Sequence, residues 1–207
     1  MADPLFRLYL ITDRHGTRGR PLLDVVRAAL RGGVDAVQLR EKDLPARPLL
    51  ELARGLRSLC SDYGALLFVN DRIDVALAVN ADGVHLPVSA FRPVDARTIL
   101  GPGKFIGASA HNLAEATAAR NGGVDFIVFG PIFDTQSKRP YGDPVGPDQL
   151  AEVARGGPTP ILAIGGLTPD RVRTVCEHGA AGVAVLSGIL AAENPEMAAK
   201  AYRSLLP

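Results

Sequence analysis

Eight short apolar runs recur along the chain, and a helix-like stretch follows nearly every one. They are Leu8–Thr12, Ala36–Arg40, Leu67–Asn70, Gly83–Leu86, Phe105–Ala108, Phe126–Gly130, Ile161–Ile164 and Gly182–Leu186. Most are continuous rather than alternating, the pattern of strands buried on both faces of a parallel sheet. Between them lie helix signals. Leu49, Leu52, Ala53, Leu56 and Leu59 form one apolar stripe, and Thr168-Pro169-Asp170 sets a capping residue, a proline and an acid at a helix start. A weak repeat falls before the even runs: Gly33-Val34-Asp35, Ala81-Asp82-Gly83 and Gly123-Val124-Asp125, with His178-Gly179-Ala180-Ala181 as a copy lacking the acid. Each reads as a helix end and a turn. Eight strand–helix units specify an α/β fold, a single closed (β/α)8 barrel over residues 1–207. An open doubly wound sheet would carry a Gly-x-Gly-x-x-Gly first turn, and none follows the first run.

Composition narrows the function classes. The chain has 207 residues, 47% apolar and 22% charged, which excludes a disordered segment. Lys and Arg number 23 against 22 acids, so no global basic field points to nucleic acid. No apolar stretch is long enough to cross a membrane. Cys60 and Cys176 are too few for a disulfide scaffold and read as reduced packing residues, as in a cytoplasmic protein.

In a barrel the site is built just after each strand's C-terminal end. Those positions hold Asp13, Arg14 and His15; Gln38, Arg40, Glu41 and Lys42; Asn70, Asp71 and Arg72; Ser109, His111 and Asn112. The sixth run leads into a long polar segment, 130–146, with Thr135, Gln136, Ser137, Lys138 and Arg139; its composition suits a flap. Gly165-Gly166 after the seventh run and Ser187-Gly188 after the eighth fit a phosphate site, although Gly-Gly also serves as a plain turn. Gln38-x-Arg40-x-Lys42 alternates as an extended segment does, so all three side chains can face one pocket. Arg40, Lys42 and Lys138 suit a diphosphate or two phosphates. Asp71 can pair with Arg72 or Arg40, or hold Mg²⁺ against a diphosphate. His111 is placed for acid–base work, or is a hydrogen-bonded structural ring. His85 and His178 read as structural.

Gln38-Leu39-Arg40-Glu41-Lys42, Asn70-Asp71, Gly107-Ala108-Ser109-Ala110-His111, Gly130-Pro131 through Lys138, and Ala163-Ile164-Gly165-Gly166 resemble the thiamine phosphate synthase and thiazole tautomerase superfamily. The resemblance runs from the first strand to the last helix. It implies coupling of 4-amino-5-hydroxymethyl-2-methylpyrimidine diphosphate to thiazole phosphate, with release of diphosphate and use of Mg²⁺. Gln38, Arg40, Lys42, Asn70, Ser109 and Lys138 would hold the pyrimidine diphosphate, and Asp71 the Mg²⁺. Thr135, Ser137, Gly165, Gly166, Leu186 and Ser187 would hold the thiazole phosphate, with Arg40, Lys42, Lys138 and His111 as the catalytic set. Small molecules are the implied partners, with a homodimer left open. One departure stands out. Ala90 occupies the place of the family's second metal-binding aspartate, and its segment, Pro87 to Phe91, looks more like the tautomerases, which aromatise a thiazole phosphate carboxylate by moving a proton. Lys42, Asn70-Asp71 and Lys138 favour the synthase. A non-catalytic phosphate-ligand sensor on the same barrel is the reading from another class.

Overall fold

The computed structural model describes residues 6–135 and 143–207. Eight parallel strands close into a barrel in chain order, β1 pairing with β8. They are β1 (Leu8–Ile11), β2 (Ala36–Leu39), β3 (Leu66–Asn70), β4 (Gly83–Leu86), β5 (Phe105–Ala110), β6 (Phe126–Phe129), β7 (Ile161–Ile164) and β8 (Gly182–Val185). The helices among the described residues are α1 (Leu22–Arg31), α2 (Ala46–Asp62), α3 (Ile73–Ala78), α4 (Pro93–Leu100), α5 (Leu113–Asn121), α6 (Gly146–Arg155), α7 (Pro169–Glu177), α8 (Ser187–Leu190) and α9 (Pro195–Arg203). The expected (β/α)8 barrel is therefore present. The differences are local, and β1, β3 and β6 shift by one residue at an end. β2 stops at Leu39 and Lys42 begins a turn, so Gln38, Arg40 and Lys42 do not share one extended segment. β5 runs on to Ala110. β8 stops at Val185, one residue short of Leu186. Thr168 occupies the N-cap of α7 but makes no side-chain capping bond.

Alternation divides the strand residues between two cores. Leu8, Leu10, Val37, Leu39, Leu67, Val69 and their counterparts pack outward under the helices. Tyr9, Ile11, Ala36, Phe68, Phe126, Val128, Leu162 and Ala184 point inward, with Phe6 closing the floor. Tyr9, Phe68 and Phe126 pack edge-on against one another around Phe6, with ring centroids 5.0–5.7 Å apart. Gly107 makes room for them: a Cβ there would sit 2.2 Å from the Phe126 ring.

The acids of the repeat have a task beyond turning the chain. The Asp35 carboxylate accepts the N–H groups of Arg7 and Leu8, both at 2.9 Å, just ahead of or at the start of β1. Asp82 accepts the Leu67 N–H (2.7 Å) and pairs with Arg57 (2.6 Å). Asp125 accepts the Ile106 N–H (2.7 Å) and pairs with Arg97 (2.8 Å). Each of these acids also donates its own backbone N–H to the same strand, at Leu8, Leu67 or Ile106. In the fourth copy Ala181 keeps only that backbone bond, to Ile161. All four ties lie at the N-terminal end of the barrel, opposite the mouth. Asp125→Ala would leave the Ile106 N–H without its acceptor and Arg97 with only the Gly101 and Lys104 carbonyls, at a cost of about 2–3 kcal/mol. The expected result is a melting temperature roughly 5–10 °C lower, with the secondary structure of the folded protein unchanged by circular dichroism. An unchanged melting temperature would contradict it.

Candidate active site

The mouth has two halves. On the first, the inward register of β2 to β5 brings Gln38, Asn70, His85 and Ser109 together; Asn70 lies beside His85 across the β3–β4 pair. Gln38 is buried and its amide donates to the Tyr9 hydroxyl (3.1 Å), so it lies below the mouth within the barrel. Arg40 is half-buried just past the end of β2 and Lys42 is exposed on the turn beyond.

Between these two cations Glu41 points the other way. It is 5% exposed. Its carboxylate takes the Thr12 hydroxyl (2.7 Å), the Arg14 N–H (3.1 Å) and the Arg14 guanidinium (3.2 Å). The Thr12 oxygen in turn accepts the Arg40 N–H at 2.9 Å. Arg14 reaches on to both oxygens of Asp43 (2.6 and 2.5 Å), which also meets His15. Arg14 first, then His15, holds the Asp43 carboxyl well below the usual range. The acids nearest the cations are thus committed to other partners. Neither Arg40 nor Lys42 makes an ion pair with a described residue.

Asp71 does not pair with Arg72 or Arg40. Arg72 instead forms two bonds to Asp74, at 2.8 and 2.6 Å. Asp71 is exposed, takes a left-handed φ of 63° directly after β3, and is tied through its N–H to the His85 carbonyl (2.9 Å). Its carboxylate bonds to no described side chain. Among the described residues no three His, Cys, Asp or Glu side chains gather as a metal cluster. Mg²⁺ does not require one, because it commonly binds through one or two carboxylates, substrate phosphates and water. An open, unpaired Asp71 fits that requirement.

His85, expected to be structural, is buried within the barrel beneath the site and adjoins Ser109. Its Nε2 sits 2.9 Å from the Ser109 hydroxyl, while the buried Nδ1 has no partner. Burial, helped by the Arg40 charge, depresses its pKa from 6.5 to about 3, so the ring is neutral in the folded protein. The unfolded chain then binds the proton more tightly. The stability that this neutral ring contributes is present above pH 6.5 and lost as pH falls toward 3. His85→Gln should flatten that fall, as read from chemical unfolding at a series of pH values; an unaltered slope would deny the assignment. The sequence signal was its position on the strand, the same inward parity as Asn70 and Ser109.

His111 is exposed at the end of β5, and its ring is held by Glu115 (3.0 Å), as is its N–H (2.8 Å). Asn112 and Glu115 cap α5 reciprocally, both bonds at 2.9 Å. His178 binds the Thr174 carbonyl within α7 and the turn after it, as a structural ring does.

The second half of the mouth comes from β6, β7 and β8. Gly165 and Gly166 take positive φ values of 96° and 60°, and a Cβ on Gly166 would meet the Asp134 carbonyl at 2.5 Å. Thr135 follows that contact directly. Ser137, Lys138 and the rest of the flap's middle, residues 136–142, lie outside the described residues. Leu186 and Ser187 open α8, whose first N–H groups have no acceptor within the helix.

Comparisons with known proteins agree with this geometry. The family model for thiamine monophosphate synthase matches residues 8–189. A protein from Geobacter sulfurreducens is 52% identical over the whole chain and 97% of its own length. The thiamine-phosphate synthase of Moorella thermoacetica is 43% identical over 98% of this chain and 97% of that protein. The solved thiamine phosphate pyrophosphorylase from Pyrococcus furiosus superposes with a TM-score of 0.89 at 38% identity, covering 99% of this chain and 97% of that one. A barrel with two anion-ready halves, matched along its full length, places this chain in the thiamine monophosphate synthase family.

Proposed function

We propose that the chain is a transferase, a thiamine phosphate synthase: it couples the pyrimidine diphosphate to thiazole phosphate and releases diphosphate, with Mg²⁺ held at Asp71. The observation that carries this reading is a mouth with Arg40 and Lys42 just past β2, without an ion pair among the described residues, and with the positive-φ Gly165-Gly166 turn after β7. One half suits a diphosphate and the other a monophosphate.

The bond between the pyrimidine methylene carbon and the diphosphate oxygen breaks, and its electron pair leaves on that oxygen. The thiazole nitrogen then gives its lone pair to the methylene carbon, and the product is a thiazolium. No proton leaves carbon in this exchange. Arg40 and Lys42 stabilise the departing charge, the term that usually dominates such catalysis. Lys138 would join them. Ser109 and Asn70 orient the diphosphate substrate from the barrel rim, and Gln38 supports it from below. Bound Mg²⁺ would supply further charge neutralisation on the diphosphate oxygens. Gly165, Gly166, Leu186, Ser187, Thr135 and Ser137 would hold the thiazole phosphate. His111 has no obligatory proton to move.

The test supplies purified protein with both substrates and follows diphosphate and thiamine phosphate together, with Mg²⁺ or with a chelator. One diphosphate per thiamine phosphate, dependent on Mg²⁺, is the expected result. If neither forms, the reading fails; aromatisation of the non-aromatic thiazole phosphate carboxylate would then identify the tautomerase.

A further inference from the structure

Three consecutive carbonyls after β7 are tied down. Gly165 accepts from the Phe133 N–H at 3.1 Å, Gly166 from the Arg171 guanidinium at 2.6 Å, and Leu167 from the Tyr202 hydroxyl at 2.9 Å. A trans peptide points its N–H opposite its carbonyl. Each tie therefore turns one N–H, of Gly166, Leu167 or Thr168, to the other side. None of these three donates to a described backbone group. Successive free N–H groups on a turned backbone form an anion-binding concavity.

Tyr202 differs from the other two tethers. Phe133 and Arg171 come from segments beside the turn, whereas Tyr202 comes from the last helix, α9. It is 2% exposed, and burial pushes its phenol up to about 12, so the hydroxyl keeps its proton and stays a donor. The same oxygen lies against Gly188: a Cβ on that residue would sit 2.3 Å from it. One side chain thus touches both the turn after β7 and the start of α8. We infer that Tyr202 is a positioning residue that fixes the Leu167 carbonyl and the spacing between the Gly165–Thr168 turn and Ser187–Gly188, and so sets the affinity of this half of the mouth for a phosphate monoester. It touches no substrate.

α9 is itself held firmly enough to act as the anchor. Gly32 lets it approach α1 closely, since a Cβ there would lie 2.4 Å from the Glu196 carbonyl. Arg31 pairs with Glu196 at 3.0 Å across the same contact.

The inference rests on the proposed synthase reading for its substrate and has its own readout. Tyr202→Phe removes only the hydroxyl. Inorganic phosphate and thiazole phosphate binding would be measured calorimetrically on wild type and variant, beside the steady-state constants for both substrates. The expected result is about a fivefold or greater loss of affinity for both phosphates, consistent with one lost hydrogen bond. KM for thiazole phosphate should rise with it, with kcat and the KM for the pyrimidine diphosphate kept. Unchanged phosphate affinity overturns the inference, as does an equal decline in both substrates' constants, which would mark a merely structural role. Wild type that binds neither phosphate also overturns it. Wild type that binds phosphate but couples nothing rejects the synthase reading, and the comparison of the two proteins still decides the role of Tyr202.

Discussion

Arg40→Ala is expected to lower kcat/KM for the pyrimidine diphosphate by about 100-fold or more, equivalent to roughly 3 kcal/mol. The guanidinium has no carboxylate partner among the described residues and sits half-buried at the end of β2, where its charge already reaches His85. Its loss removes charge-assisted bonds that strengthen as the leaving group gathers charge, so kcat should fall as well as kcat/KM. Arg40→Lys should recover part of the rate, because an ammonium restores the charge without the two-pronged contact. A loss in the alanine variant smaller than about threefold would remove Arg40 from the reaction.

Glu41→Ala should harm both stability and rate. Its carboxylate satisfies the Thr12 hydroxyl, the Arg14 N–H and the Arg14 guanidinium. Deleting it strands the Thr12 hydroxyl and the Arg14 N–H and leaves the Arg14 guanidinium to Asp43 alone, at a cost of about 2–4 kcal/mol. For a chain of this length the melting temperature should drop by roughly 5–15 °C. The rate should fall more than about tenfold, because Thr12 also holds the Arg40 N–H and because Asp43 and Glu41 together keep Arg14 away from the cations' anion. Glu41→Gln, which retains one acceptor oxygen, should lie between. A variant that melts early yet turns over normally at low temperature would separate the two roles and refute the second.

The barrel was legible because parallel strands buried on both faces write themselves as continuous apolar runs, and the eight of them came spaced by helical segments. The rim residues were legible for the same reason: strand ends can be counted. What failed was the continuation beyond a strand end. Gln38, Arg40 and Lys42 looked like one alternating row, yet β2 ends at Leu39, Glu41 turns in to accept the Thr12 hydroxyl, and Lys42 lies on a turn. The bond from Thr12 to Glu41 joins residues 29 apart, which no local pattern records. His85, read as structural, is buried and hydrogen-bonded as such a ring is, and its parity with Asn70 and Ser109 sets it beneath the rim. The acids of the repeat were read only as turn residues, since their partners belong to strands 15 to 28 positions earlier.

Those acids have a consequence for how such a chain tolerates change. Asp35, Asp82 and Asp125 fasten the odd strands at the end of the barrel remote from the chemistry, and the fourth unit manages with a backbone bond alone. The foundation and the working rim are therefore separate territories, set apart by the length of the strands. Insertions and substitutions at the rim that spare buried Glu41 can redirect substrate choice without loosening the staves, and an engineer seeking thermal robustness would begin at Ala181, where an aspartate would give the missing fourth clasp.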